Sequence, residues 1–88
     1  MPQPTKIRLY STSTCPFCKM EKSWLEKNNV AFDFVLVDED ESEARHMVES
    51  TGQMGVPVTE LHYAGAKPEY VIGFDRAKLA DRLGLASV

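Results

Sequence analysis

The chain has 88 residues, 43% of them hydrophobic and 26% charged, an ordinary balance for one small globular domain and too little chain for two. Its formal charge of −3 offers no attraction to nucleic acid or an anionic membrane, and no apolar run approaches the roughly 20 residues that cross a bilayer. Met1-Pro2-Gln3-Pro4-Thr5-Lys6 lacks the apolar core of a secretory leader, so a cytoplasmic chain is expected; a monomer is the expected state.

Lys6-Ile7-Arg8-Leu9-Tyr10 alternates as a strand does, and Ser11-Thr12-Ser13-Thr14 is the loop leaving it. From Pro16 to about Asn28 the spacing is helical. Phe17, Cys18, Met20, Trp24 and Leu25 fall in one arc, which predicts the buried face, and Glu21 inside that arc marks its edge. After a turn at Asn28-Asn29, Ala31 to Val37 is apolar apart from Asp33. It reads as a strand buried on both faces, the habit of a central parallel strand, and completes a βαβ unit. The acidic run Asp38-Glu39-Asp40-Glu41 belongs at the start of a second helix, because a helix N-terminus favours carboxylates. Ala44, Met47, Val48 and Thr51 follow at helical spacing, and Gly52 is the C-terminal cap.

Gly55-Val56-Pro57-Val58 leads into a third strand ending near His62. Tyr63 to Pro68 is a turn, and Glu69-Tyr70-Val71-Ile72 is the antiparallel partner. Asp75 caps a last helix, with Phe74 and Leu79 as a hydrophobic staple, Leu79, Ala80 and Leu83 facing inward, and Gly84 at its end. The order is β-α-β-α-β-β-α.

The two cysteines, Cys15 and Cys18, stand three positions apart. They are too few for a secreted disulfide scaffold, and a bond between them closes too small a loop to stabilise the fold. In a reducing compartment the spacing points to redox or metal chemistry. Cys15 falls at the N-cap of the first helix, with Pro16 at the first helical position, where proline is tolerated. Its sulfur faces unsatisfied N–H groups and the positive end of the helix dipole, a setting that lowers a cysteine pKa from about 8.5 to roughly 3.5–7.5. Cys18 lies one turn on, toward the core. The asymmetry predicts that Cys15 attacks a substrate disulfide and Cys18 displaces the product.

Other readings of the pair are weaker. A structural zinc site needs four ligands, and the remaining soft donors, His46 and His62, have no usual spacing. An iron–sulfur cluster or metal-delivery module using Cys15 across a dimer is the alternative function, and the proline inside the tetrapeptide argues against it. A free cysteine is often only a small buried hydrophobe, but the strand–loop–helix setting favours redox chemistry. His46 and His62 read as solvent-facing or satisfied, Met47 and Met54 as packing, and Trp24 as core.

Tyr10-Ser11, Cys15-Pro16-Phe17-Cys18, Gly55-Val56-Pro57-Val58 and Val71-Ile72-Gly73-Phe74-Asp75 together resemble the glutaredoxins of the thioredoxin-fold superfamily. The resemblance runs from Ile7 to Leu85. It implies a thioredoxin-like α/β fold with a four-stranded mixed sheet and three helices, in one domain over residues 1–88. It also implies a cis bond at Val56-Pro57, with the Val56 backbone pairing with a bound thiol or peptide. Cys15 and Cys18 are then the catalytic pair, with Pro16, Phe17, Val56, Pro57, Gly73, Phe74 and Asp75 as substrate-binding residues.

The implied substrates are proteins or small molecules carrying disulfides. No cofactor is bound permanently, and electrons come from glutathione as co-substrate or from a thioredoxin reductase. Two departures bear on that choice. Glutathione-using members carry a lysine where this chain has Thr12, and Gly-Gly followed by an Asp pair where it has Gly73-Phe74-Asp75-Arg76. The Gly-Phe is more similar to redoxins that serve ribonucleotide reductase and are recharged by thioredoxin reductase. Arg8, Lys19, Arg76 and Lys78 are the cations that could replace the missing lysine.

Overall fold

Strand β1 (Lys6–Ser11) lies inside the sheet, paired in parallel with β2 (Asp33–Leu36) and antiparallel with β3 (Val58–His62). Strand β4 (Glu69–Ile72) pairs antiparallel with β3, giving a mixed four-stranded sheet of order β2-β1-β3-β4. Helices α1 (Pro16–Lys27), α2 (Glu41–Thr51) and α3 (Arg76–Leu83) complete the expected thioredoxin-like order in the computed structural model, which describes residues 3–85.

The two-residue period of the strands divides the core into two layers. Ile7, Leu9, Leu61 and Val71 face α1 and α3 and pack with Trp24, Leu25, Leu79, Ala80 and Leu83. Tyr10 and Val58 face the other way and pack with Met47 of α2. The helix ends carry the expected chemistry: Asp40 and Asp75 accept N–H bonds from Glu43 and Lys78 at 3.2 and 3.1 Å, and Gly52 and Gly84 end α2 and α3 in the left-handed region.

Three expectations are corrected. Ala31–Val37 is not a central strand buried on both faces: only Asp33–Leu36 pairs, at the sheet edge, with every residue half-buried or exposed. The crossover through α1 does place β2 beside β1, but β3 returns antiparallel along the other side of β1 and takes the interior position. The apolar residues are still used, with Phe32 packing on the α1/α3 layer and Val35 and Val37 on the α2 layer.

The buried face of α1 is also turned from the expected arc. Cys18, Glu21, Trp24 and Leu25 point inward, while Phe17 and Met20 are exposed. That stripe follows the three- and four-residue helical repeat with Glu21 at its centre, and the hydroxyl of Thr59 on β3 bonds one oxygen of the carboxyl. Met54, finally, does not pack but is 84% exposed, whereas Met47 does pack.

Candidate active site at the first helix N-terminus

Sheet register brings three separate segments to one end of the molecule. Val58, the first residue of β3, pairs with Tyr10 near the end of β1 and with Ile72 at the end of β4. The loop leading to Cys15, the Val56-Pro57 pair and the Gly73–Asp75 turn therefore leave the sheet at the same end of the strands.

Cys15 occupies the N-cap of α1 in extended geometry, and its Sγ accepts the backbone N–H of Cys18 at 3.1 Å. Pro16 follows at the first turn, where its missing N–H costs no helical bond. Cys15 is half-buried and Cys18 is 0% exposed. The two are joined as a disulfide with their Cα atoms 5.3 Å apart. Phe17, at 60% exposure, presents an apolar ring to solvent beside the pair. The loop before Cys15 is anchored by Asp38, which accepts from the Ser13 hydroxyl and, at 3.2 Å, from its N–H, bonds that hold the carboxyl below its usual range.

The Val56-Pro57 bond is cis, as the resemblance implied, with Pro57 buried and Val56 half-buried. The Pro57 carbonyl accepts the N–H of Gly73 at 2.9 Å, tying the second segment to the third. Gly73 has φ 79, a conformation that side chains strain against. The Phe74 ring meets Trp24 of α1 edge-on, 6.0 Å between centroids. The Asp75 carboxyl accepts the Lys78 N–H as the cap of α3. Lys19, Met20, Ser23, Trp24, Lys27, Phe74 and Arg76 line a cleft of about 460 Å³. Two of the candidate replacement cations, Lys19 and Arg76, stand on it. Arg8 is on the opposite face of the sheet, paired with Glu43 and 3.9 Å from Glu60, and Lys78 is off the cleft lining.

Two buried carboxyls escaped the sequence reading as parts of this architecture. Glu21 is 0% exposed; its Oε2 accepts from the Thr59 hydroxyl and its Oε1 has no partner among the described residues. Burial raises it to about 7 against the smaller downward pull of Thr59. Glu60, 1% exposed on the α2 side, lies 2.8 Å from His46 Nε2 and 2.6 Å from His62 Nε2, and accepts from the Tyr70 hydroxyl at 2.9 Å. Burial alone would raise its pKa, but these bonds outweigh it and hold the group at about 2. Both histidines are thus satisfied, one of the two readings expected of them. Among the described residues no group of three or more His, Cys, Asp or Glu is arranged to hold a metal ion. No helix among them is long and apolar enough to cross a membrane.

A thioredoxin-like sheet with a disulfide at the N-terminus of its first helix and a cis-proline at the same end of the strands defines a thiol–disulfide redox protein. The glutaredoxin family model matches residues 7–62. A glutaredoxin-like 8.6 kDa protein of the rubredoxin operon of Clostridium pasteurianum is 36% identical over 73 residues, 83% of this chain and 91% of the relative. The chain belongs to the glutaredoxin family.

Its structure is similar to methanoredoxin of Methanosarcina acetivorans, with TM-score 0.78, 29% identity, and coverage of 96% of this chain and 90% of that one. It is also similar to the NrdH-redoxin of Escherichia coli, with TM-score 0.68, 25% identity, and coverage of 94% and 100%. That protein is described as a glutaredoxin-like protein with a thioredoxin-like activity profile.

Proposed function

We propose that the chain reduces disulfides of proteins or small molecules, with Cys15 attacking and Cys18 resolving, and that a thioredoxin reductase rather than glutathione recharges it. The asymmetry of the pair carries the reading: Cys15 is half-buried at a helix N-cap, Cys18 fully buried one turn inside. The Cys15 thiolate attacks one substrate sulfur, forms a mixed disulfide and releases the first thiolate. Cys18 then attacks Cys15 Sγ, closes the Cys15–Cys18 bond and releases the second. Two electrons pass to the substrate. The Cys18 N–H and the helix dipole favour the attacking thiolate.

In this reading the Val56 backbone aligns the substrate, and Pro16, Phe17, Pro57, Gly73 and Phe74 form an apolar rim around the disulfide. Disulfide-bearing partners and a reductase dock there, on a cytoplasmic monomer that holds no permanent cofactor, and glutathione is only a poor co-substrate. Three observations support thioredoxin reductase as the electron source. Thr12 stands where glutathione users have lysine, Asp75 is engaged as the cap of α3, and the fold is similar to a redoxin with a thioredoxin-like activity profile.

An NADPH-coupled assay with a disulfide substrate tests this. Turnover through thioredoxin reductase should exceed turnover through glutathione and its reductase by about 10-fold or more, the worth of one lost charged hydrogen bond. Cys15→Ser should abolish both, and Cys18→Ser should accumulate the mixed disulfide, seen by mass. Comparable rates through glutathione would remove the assigned electron source, and activity in Cys15→Ser would remove the assigned roles.

A further inference from the structure

We propose that Glu21 is the proton acceptor for the Cys18 thiol in the resolving step, an inference that rests on the dithiol reading above. Glu21 follows Cys18 by one turn of α1, and both side chains lie on the buried face of the helix. Helical side chains lean back over the preceding turn, which for Glu21 is the turn that carries Cys18. Thr59, two positions beyond Pro57 on β3, holds Oε2. Oε1 has no hydrogen-bond partner among the described residues. Buried polar atoms are rarely left unpaired, and packing alone gives no reason for a carboxyl between Cys18 and Trp24, where an apolar side chain would serve.

Among the described residues no charged neighbour compensates Glu21. The sheet residues on the α1 side are Ile7, Leu9 and Ser11 of β1, Phe34 and Leu36 of β2, Thr59 and Leu61 of β3, and Glu69 and Val71 of β4, of which only Glu69 is charged and it is paired with Arg82. From α3 the inward residues are Leu79, Ala80 and Leu83. Burial therefore sets the titration near 7, where a base is both ionised in part and able to hold a proton. Cys18 needs such a group, because burial opposes ionisation of its thiol.

The step balances. With Cys15 in the mixed disulfide, Cys18 Sγ gives its proton to Glu21 Oε1, and the resulting thiolate attacks Cys15 Sγ. The Cys15–Cys18 bond forms, the bond from Cys15 to the substrate sulfur breaks, and the substrate thiolate leaves with the electron pair. The dithiol is oxidised and the substrate reduced. The proton on Glu21 passes to solvent, or returns to Cys18 when the disulfide is next reduced.

Rapid mixing of the reduced protein with a chromogenic aryl disulfide separates attack, whose rate follows disulfide concentration, from resolution, whose rate does not. Glu21→Gln should leave attack unchanged and slow resolution by about 100-fold at pH 7, the lower end of a general-base contribution. It should also move the pH midpoint of resolution from near 7 up to the ordinary thiol value of about 8.5 or beyond. Wild-type resolution in the variant overturns the assignment, and so does equal slowing of both phases, which displacement of α1 would cause. A missing attack phase in the wild-type protein overturns the dithiol reading and this assignment with it. Carboxyl NMR of the wild-type protein supplies a readout that needs no variant. Glu21 should titrate near 7 in the disulfide form, and its midpoint should move on reduction, when Cys18 regains its thiol proton. A midpoint at 4.5 in both forms overturns it.

Discussion

In α2 and α3 the side chain that accepts the third N–H of the helix is a carboxylate, Asp40 or Asp75, at 3.2 and 3.1 Å. In α1 it is the Cys15 sulfur, at 3.1 Å from the Cys18 nitrogen. The proposed nucleophile is therefore also the helix cap. An ionised sulfur accepts that bond more strongly than a neutral one, so helix start and thiolate support each other. Cys18 has no such help and is shielded from reagents. Limiting iodoacetamide at neutral pH should consequently alkylate the reduced protein on Cys15 and leave only traces on Cys18, as read by peptide mass. Equal labelling of the two would contradict the burial asymmetry. This pair was legible in the sequence because spacing, the following proline and the preceding strand are all local features. Glu21 was seen only as an interruption of the apolar arc, since its hydrogen-bond partner, Thr59, lies 38 positions away on β3.

At the scale of elements, type and order could be read from periodicity, but neighbours could not. All three helices and the four strands form in the order predicted, though α1 turns a different face inward and β2 is shorter than its apolar run. The placement of β2 does not follow its pattern, because an apolar run cannot reveal whether a later strand will cover its far side; β3 chose β1 instead. The α3 entrance shows the same limit. By resemblance Asp75 binds substrate, and by geometry it caps its own helix. The two roles separate by substitution. Asp75→Asn keeps a capping oxygen and should hold the urea midpoint near wild type, while Asp75→Ala should cost about 1 kcal/mol. If the Asn variant lost that much stability too, the cap would not be what the carboxylate supplies.

Across the whole molecule, the two buried glutamates sit on opposite faces of the sheet and respond to pH in opposite senses. Glu60 is met by Arg8, Tyr10, His46, His62 and Tyr70 and is held at about 2, against an ordinary 4.5. Below pH 4.5 the unfolded chain takes up a proton that folded Glu60 refuses until about pH 2, so stability falls as pH falls through that window. Asp38, Asp40 and Glu69, all held low, steepen the same side. Glu21 is raised to about 7 and acts the other way. Between pH 4.5 and about 7 the folded state keeps a proton that the unfolded chain has lost, so stability falls as pH rises and levels off above. A shift of that size corresponds to on the order of 3 kcal/mol. Urea midpoints measured from pH 3 to pH 8 should therefore peak near the ordinary carboxylate value of 4.5. Glu21→Gln should flatten the descent above the peak and leave the acid side intact. Glu60→Gln should lower the peak, by stranding His46, His62 and Tyr70, and flatten the acid side. A Glu21→Gln profile that still declined from pH 4.5 to pH 7 would show that some other group carries the neutral-pH loss.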